Sequence, residues 1–383
     1  MKTKLLAMFF IVALIMSSIA VIVVDISKAD NHTRQVVSDY LYDFVVDSYS
    51  EYYTIDDWNA TIFHTVNNGA TVTAEADVEF TKTLKVQSVS ELPYMKAVAN
   101  VQNSLSNSES QANTVFANLS PNQLVQASAL VNNEIAFQQS ELQQYIGVKQ
   151  NCTDRFRMSF DAASLVVDDT SLEVYYGVDY FPKEDFIPDT EAVMIRSATD
   201  KLSASIAEKT AEPIAKAAVT LPVYHRLTAR TYAYTYWQNY NPAFPNQNPN
   251  GGDCANYVSQ CINAGGIPMD NLWKSTLSTW TVSWVNTGKN TQPNNAGLWR
   301  YMTNYLGTSG KQYFDEVLRS QAAAGGFILW KTGYSHVAFI VANDTVTMLY
   351  NAHNTNRENA SFSTPEFANY DYRFFFSTNY VDD

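Results

Sequence analysis

The sequence predicts an α+β protein built as two successive domains. Three observations carry that expectation. A chain of 383 residues with 46% hydrophobic content can fill two cores. Over residues 31–190 the apolar pattern runs helix, strands, helices, strands. Near residue 220 a second pattern opens, helices first and strands after, as expected for helices packed on an antiparallel sheet.

The first thirty residues stand apart. Lysines at 2 and 4 precede an apolar run from Leu5 to Val24 and small residues ending at Ala29. Residues 1–29 therefore read as an export signal cleaved after Ala29, or as an anchor retained in the membrane. Either places the rest outside the cell, free or on the outer face of the plasma membrane. The formal net charge of −13 leaves no general basic field for a nucleic-acid backbone.

In residues 31–190, "TRQVVSDYLYDFVVDSYSEYY" carries apolar residues at Val36, Val37, Leu41, Phe44 and Val45, a helical stripe that should cover a sheet. Alternation then marks strands in "NATIFHTV", "ATVTAEADVEF" and "KTLKVQSV". The "NNG" at Asn67–Gly69 is a hairpin signal between the first two. Residues 92–148 return to helix-forming composition, with Ser120 as N-cap before Pro121. The stretches "RFRMSFDAASLVVDD" and "SLEVYYGVDYF" add strands. No catalytic constellation is visible here, and His64 reads as a strand histidine on a half-buried face. The domain is expected to bind, position or space something. Residues 191–219, poor in aromatics and rich in Ala, Ser, Thr and Lys, read as a linker.

The domain over 220–383 carries the chemistry. Cys254 follows the flexible loop "NPNGGD" and heads "CANYVSQCINAGG", a helix closed by Gly265, Gly266 and Pro268. At a helix N-terminus the dipole and unpaired N–H groups favour a thiolate and can hold an oxyanion, so this position expects a nucleophile of lowered pKa. Three cysteines in an exported chain make no disulfide framework. Cys254 and Cys261 would sit about 10 Å apart on one helix, beyond disulfide reach. Cys261 reads as core and Cys152 as part of a polar turn.

A thiol nucleophile needs a base, and the chain has five histidines. His336 opens the strand "HVAFIV" between "GFILW" and "VTMLYNAH", and His353 ends the last of these. His336 is the expected base and His353 the expected orienting group, with Asn351, Asn354 and Asn356 as alternatives. With two histidines so used, no metal or cofactor is required.

The run "YHRLTARTYAYTYWQNYNPAFP…GGDCANYVSQCINAGGIPM", then "LWKSTLSTWTVSW" and "SHVAFIV…LYNAH", resembles the putative amidase domain family of secreted bacterial proteins. That family looks like a branch of the papain-like fold that also holds NlpC-type and CHAP cell-wall peptidases, and the resemblance covers about residues 220–378. It implies nucleophile Cys254, base His336 and third member His353. It makes Asn256, Ser259, Gln260, Gly265 and Gly266 part of the motif's packing and loop geometry. Trp273, Trp280 and Trp284 become walls of a substrate cleft, and Gln247 stands about where papain-like enzymes carry an oxyanion glutamine. The sequence departs from the family's usual form at Ala255, where Thr is common, and at Gly325–Gly326, where an acidic residue commonly follows the glycine. The function so implied is a secreted cysteine amidohydrolase acting on cell-wall peptide. A non-catalytic wall-binding module and a transglutaminase-like acyl transferase are the alternatives.

Overall fold

The computed structural model describes residues 22–23, 31–106, 115–177, 179–211, 221–288, 297–304, 311–330, 336–363, 372–377 and 379–383. Apart from 22–23, the N-terminal leader lies outside the described residues. Among those described, no helix is long and apolar enough to cross a membrane.

The N-terminal half is an antiparallel sheet in the order β1 (Ile22–Val23), β2 (Tyr53–Asn67), β3 (Thr71–Leu84), β4 (Gln150–Asp161), β5 (Val167–Tyr176) and β6 (Asp179–Pro182). Helix α1 (Asn31–Tyr49) buries Val37, Leu41, Val45 and Tyr49, a four-residue spacing that forms one stripe. It lies on the sheet through Phe44 against Phe156, with Tyr49 stacked on Phe186. Between β3 and β4 run α2 (Pro93–Ser106) and α3 (Pro121–Leu142). Ser120 caps α3 in a capping box with Gln123.

The stretch expected to be a linker is different. Residues 191–211 form a 21-residue helix, α4 (Glu191–Ala211), and residues 212–219 lie outside those described. Its Ala- and Ser-rich composition hides a stripe of Met194, Ala198, Leu202 and Ile206. The last three pack with Val98, Val101, Ala127 and Val131 of α2 and α3 in a small second core. The first unit thus continues to residue 211.

The C-terminal half opens with β7 (Tyr224–His225), α5 (Arg226–Tyr236) and α6 (Cys254–Ala264), followed by the short helices α7 (Val282–Val285) and α8 (Leu298–Met302). Its strands are β8 (Asp315–Val317), β9 (Phe327–Trp330), β10 (His336–Asn343), β11 (Met348–Ala352), β12 (Arg357–Phe362), β13 (Tyr372–Phe376) and β14 (Tyr380–Val381). Six form an antiparallel sheet in the order β12-β11-β10-β9-β13-β8, while β14 pairs with β7. Helices α5 and α6 pack on β10. Mixed α+β architecture with antiparallel sheets is thus as the pattern suggests.

The two halves are not separate. One continuous apolar core runs from Val37 of α1 to Phe375 of β13. Buried polar contacts add to it: the Tyr53 hydroxyl donates to Asp344 Oδ1 at 2.8 Å, Gln150 Nε2 to Asp344 Oδ2 at 3.0 Å, and the Ser361 N–H to Asp154 Oδ1 at 2.8 Å. Groups lost from such contacts leave buried partners unsatisfied, so the interface resists separation.

Candidate active site

Gly251 and Gly252 hold φ values of 108° and 132°, in the left-handed region that favours glycine, and a Cβ on Gly252 would meet Asn354 Nδ2 at 2.8 Å. This turn delivers the chain into α6 with Asp253 at the N-cap and Cys254 as the first helical residue.

Asp253, fully buried, organises the surroundings. Its Oδ1 accepts from the Gln247 N–H at 2.7 Å and Asn256 Nδ2 at 2.8 Å, and its Oδ2 meets His353 Nδ1 at 2.6 Å. Its own N–H donates to Asn354 Oδ1 at 2.5 Å. One carboxylate thereby ties the loop before α6, the first turn of α6 and the turn after β11. In the sequence its one signal is an acid at the N-cap of a nucleophile's helix. Asp253→Ala leaves three buried donors without their acceptor. We expect it to lower unfolding free energy by about 3 to 5 kcal/mol, read from the shift of a urea transition.

Backbone N–H groups of Val337, Ala255 and Cys254 itself are aimed at the Cys254 sulfur and favour its thiolate. Burial outweighs them, and the thiol is pushed up to about 11. The lowered pKa expected from the helix terminus is therefore not what this arrangement gives. None of Cys152, Cys254 and Cys261 is in a disulfide, and all three are buried.

His336 begins β10 and pairs with Trp330, the two rings 5.1 Å apart. Trp330 also meets Tyr350 and Phe362, and Phe362 meets Tyr176 of the N-terminal sheet. The ring thus belongs to the face turned towards the N-terminal half. It is fully buried, and among the described residues neither ring nitrogen has a hydrogen-bond partner. Burial lowers its pKa to about 3. Successive strand residues face opposite sides, and His353 lies on the other face, stacked on Tyr257 of α6 at 4.1 Å. His353 Nε2 is 2.6 Å from the Tyr236 carbonyl oxygen, so both its ring nitrogens are engaged away from His336. The structure brings Cys254 to the N–H of the residue after His336. It does not join Cys254, His336 and His353 by side-chain hydrogen bonds.

Of the other expected residues, Trp273 and Trp284 are fully buried. Trp273 Nε1 donates to Ser259 Oγ at 3.2 Å, Trp284 Nε1 to Asn256 Oδ1 at 2.8 Å, and the rings lie 4.5 Å apart. They are core side chains with satisfied N–H groups, not cleft walls, whereas Trp280 is 42% exposed. Gln247 is buried, with Nε2 lacking a partner among the described residues. Gln260 accepts from the Tyr232 hydroxyl at 2.7 Å, and a Cβ on Gly265 would strike the Tyr224 ring at 2.4 Å. Asn351 accepts from the Asn359 N–H at 2.8 Å, and Asn356 donates to the Gln238 carbonyl at 3.2 Å. Among the described residues no group of His, Cys, Asp and Glu is set to hold a metal.

Residues 223–376 match the family model described as "Putative amidase domain". The chain is 40% identical over 68 residues to a Bacillus subtilis (strain 168) protein described as "Uncharacterized protein YhbB". That match takes in 16% of this chain and 21% of the relative. No solved structure matches the chain.

Proposed function

We propose, from the premise that residues 223–376 belong to the putative amidase domain family, that this domain hydrolyses amides with Cys254 as nucleophile and His336 as base. Membership points to amide hydrolysis in general. The cysteine mechanism, a papain-like arrangement of α6 on the sheet, action outside the cell and a cell-wall peptide substrate are our reading.

The observation that carries it is the set of backbone donors at the Cys254 sulfur, one of them the N–H of the residue after His336, whose buried ring nitrogens have no partner among the described residues. A polar side chain buried without a partner costs about 1 to 3 kcal/mol, and such groups concentrate where function demands them. His336 is one. Gln247 Nε2, tied through its own backbone to Asp253, is a second.

In the reaction, the Cys254 proton passes to His336 and the thiolate adds to the amide carbonyl carbon. The oxyanion takes N–H donors at the head of α6 and Gln247 Nε2. The C–N bond breaks as His336 returns its proton to the amine. Water, deprotonated by His336, then cleaves the thioester, releasing a carboxylic acid and restoring the thiol. Asp253 and His353 act as positioning residues for the helix and the loop. Hydrolysis of a wall-derived peptide amide in ¹⁸O water, with hydroxylamine added in parallel, tests this. One ¹⁸O in the acid and a hydroxamate in the trap are expected. Binding without either product, in protein whose Cys254 labels readily with iodoacetamide, favours the wall-binding reading.

A further inference from the structure

The turn between β5 and β6 lies directly on His336. A Cβ added to Gly177 would come within 2.3 Å of His336 Cδ2 and 2.7 Å of Nε2, so only a glycine lets the backbone rest on that ring. Gly177 also holds φ at 70°, in the left-handed region. The turn is strapped down: the Tyr175 hydroxyl donates to the Gly177 carbonyl at 2.5 Å and meets Thr355 Oγ1, in the turn after His353, at 2.8 Å. With it in place His336 is fully buried. A base that serves a thiol must come within hydrogen-bond reach of it, and His336 faces Trp330 and Gly177 instead.

We propose that the N-terminal half is a built-in inhibitor of the hydrolase site, with the turn at Gly177 as its blocking element. While the turn is seated, His336 is held on the sheet face away from Cys254, and withdrawal of the turn is the activating step. This rests on the reading of Cys254 and His336 as nucleophile and base.

The blocking element is suited to local release. β6 has four residues and, among the described residues, is the edge strand of its sheet, paired with β5. Edge segments open at a fraction of the global cost. His336 is the first residue of β10, at the end of the ladder with β9. Both thiol and imidazole are neutral at pH 7 in the seated state, with no ion pair to work from.

The test uses the full chain and two readouts, the rate of iodoacetamide labelling at Cys254 by peptide mass spectrometry and hydrolysis of a peptide amide. Gly177→Ala drives a methyl into the ring and unseats the turn. Tyr175→Phe, the milder variant, removes the strap to Thr355 and decides the matter if Gly177→Ala does not fold. We expect labelling to rise about tenfold or more in Gly177→Ala, by less in Tyr175→Phe, with hydrolysis rising in parallel and the far-ultraviolet circular dichroism unchanged. Folded variants that both label at the wild-type rate overturn the proposal. The double variant Gly177→Ala/His336→Ala separates this from the reading beneath it. A rise in labelling that disappears in the double variant places the effect on His336, whereas a rise kept in the double variant, with no hydrolysis in either, removes His336 as base.

Discussion

Cys254→Ala is expected to lower amide hydrolysis by about a thousandfold or more while the protein stays folded. Loss of a covalent nucleophile removes the thioester route, leaving only what binding and oxyanion donors give to direct attack by water. The change deletes one sulfur at the head of α6 and leaves the Asp253 contacts to Gln247, Asn256 and His353 in place. Stability should therefore fall by only about 1 kcal/mol. The comparison is best made twice, in the wild type and in Gly177→Ala, because a seated turn depresses the rate of both partners. Cys261 supplies the control. It is fully buried on the same helix, its thiol pushed well above the ordinary range by burial, and Cys261→Ala should leave turnover per folded molecule unchanged. Hydrolysis that survives Cys254→Ala at the parent rate rules out the cysteine mechanism.

Features fixed by a few neighbouring residues were legible in the sequence. The "NNG" hairpin forms because Asn68 Oδ1 accepts from the Thr71 N–H at 2.8 Å while Gly69 takes φ of 94°. Ser120 and Gln123 cap α3, and the valine and leucine stripe of α1 meets the sheet as expected. Cys254 does head a helix, and His336 does open a strand beside it. What escaped depends on segments distant in the chain. Trp273 and Trp284 look like cleft aromatics until Ser259 and Asn256 are seen to satisfy their N–H groups. α4 lacks the large residues that announce a stripe, and only α2 and α3 reveal it. The thiol pKa needed a comparison of two effects, and a helix terminus is visible in sequence where burial is not. Asp253 becomes a hub only when His353, a hundred residues on, folds against it.

Acid should expose the cost of burying His336. Its pKa is about 3 in the folded protein, because burial disfavours the charged ring, against 6.5 ordinarily. A group whose folded pKa is depressed adds stability that is complete above its unfolded value and is lost as pH falls through the folded value. The window is therefore pH 6.5 down to about 3, and that difference corresponds to about 5 kcal/mol of unfolding free energy. Buried carboxyls act in the opposite direction. Asp185, raised to about 6 by burial and by Glu184, and Asp154, raised by burial, favour the fold as pH falls, so the wild-type curve alone mixes these effects. The difference from His336→Leu isolates the ring. Leucine brings no ionisable group and no unpartnered nitrogen, so the variant should match or exceed wild-type stability at pH 7. At pH 4 it should be the more stable protein by about 3 kcal/mol. Urea unfolding at both values reads the difference directly. A gap that does not change with pH means that the ring is solvated in the folded state, and the seated turn would then not be covering it. A gap that widens in acid and shrinks when Gly177→Ala is added ties the cost to that turn, and makes His336 a residue whose burial opposes stability in the state where it is idle.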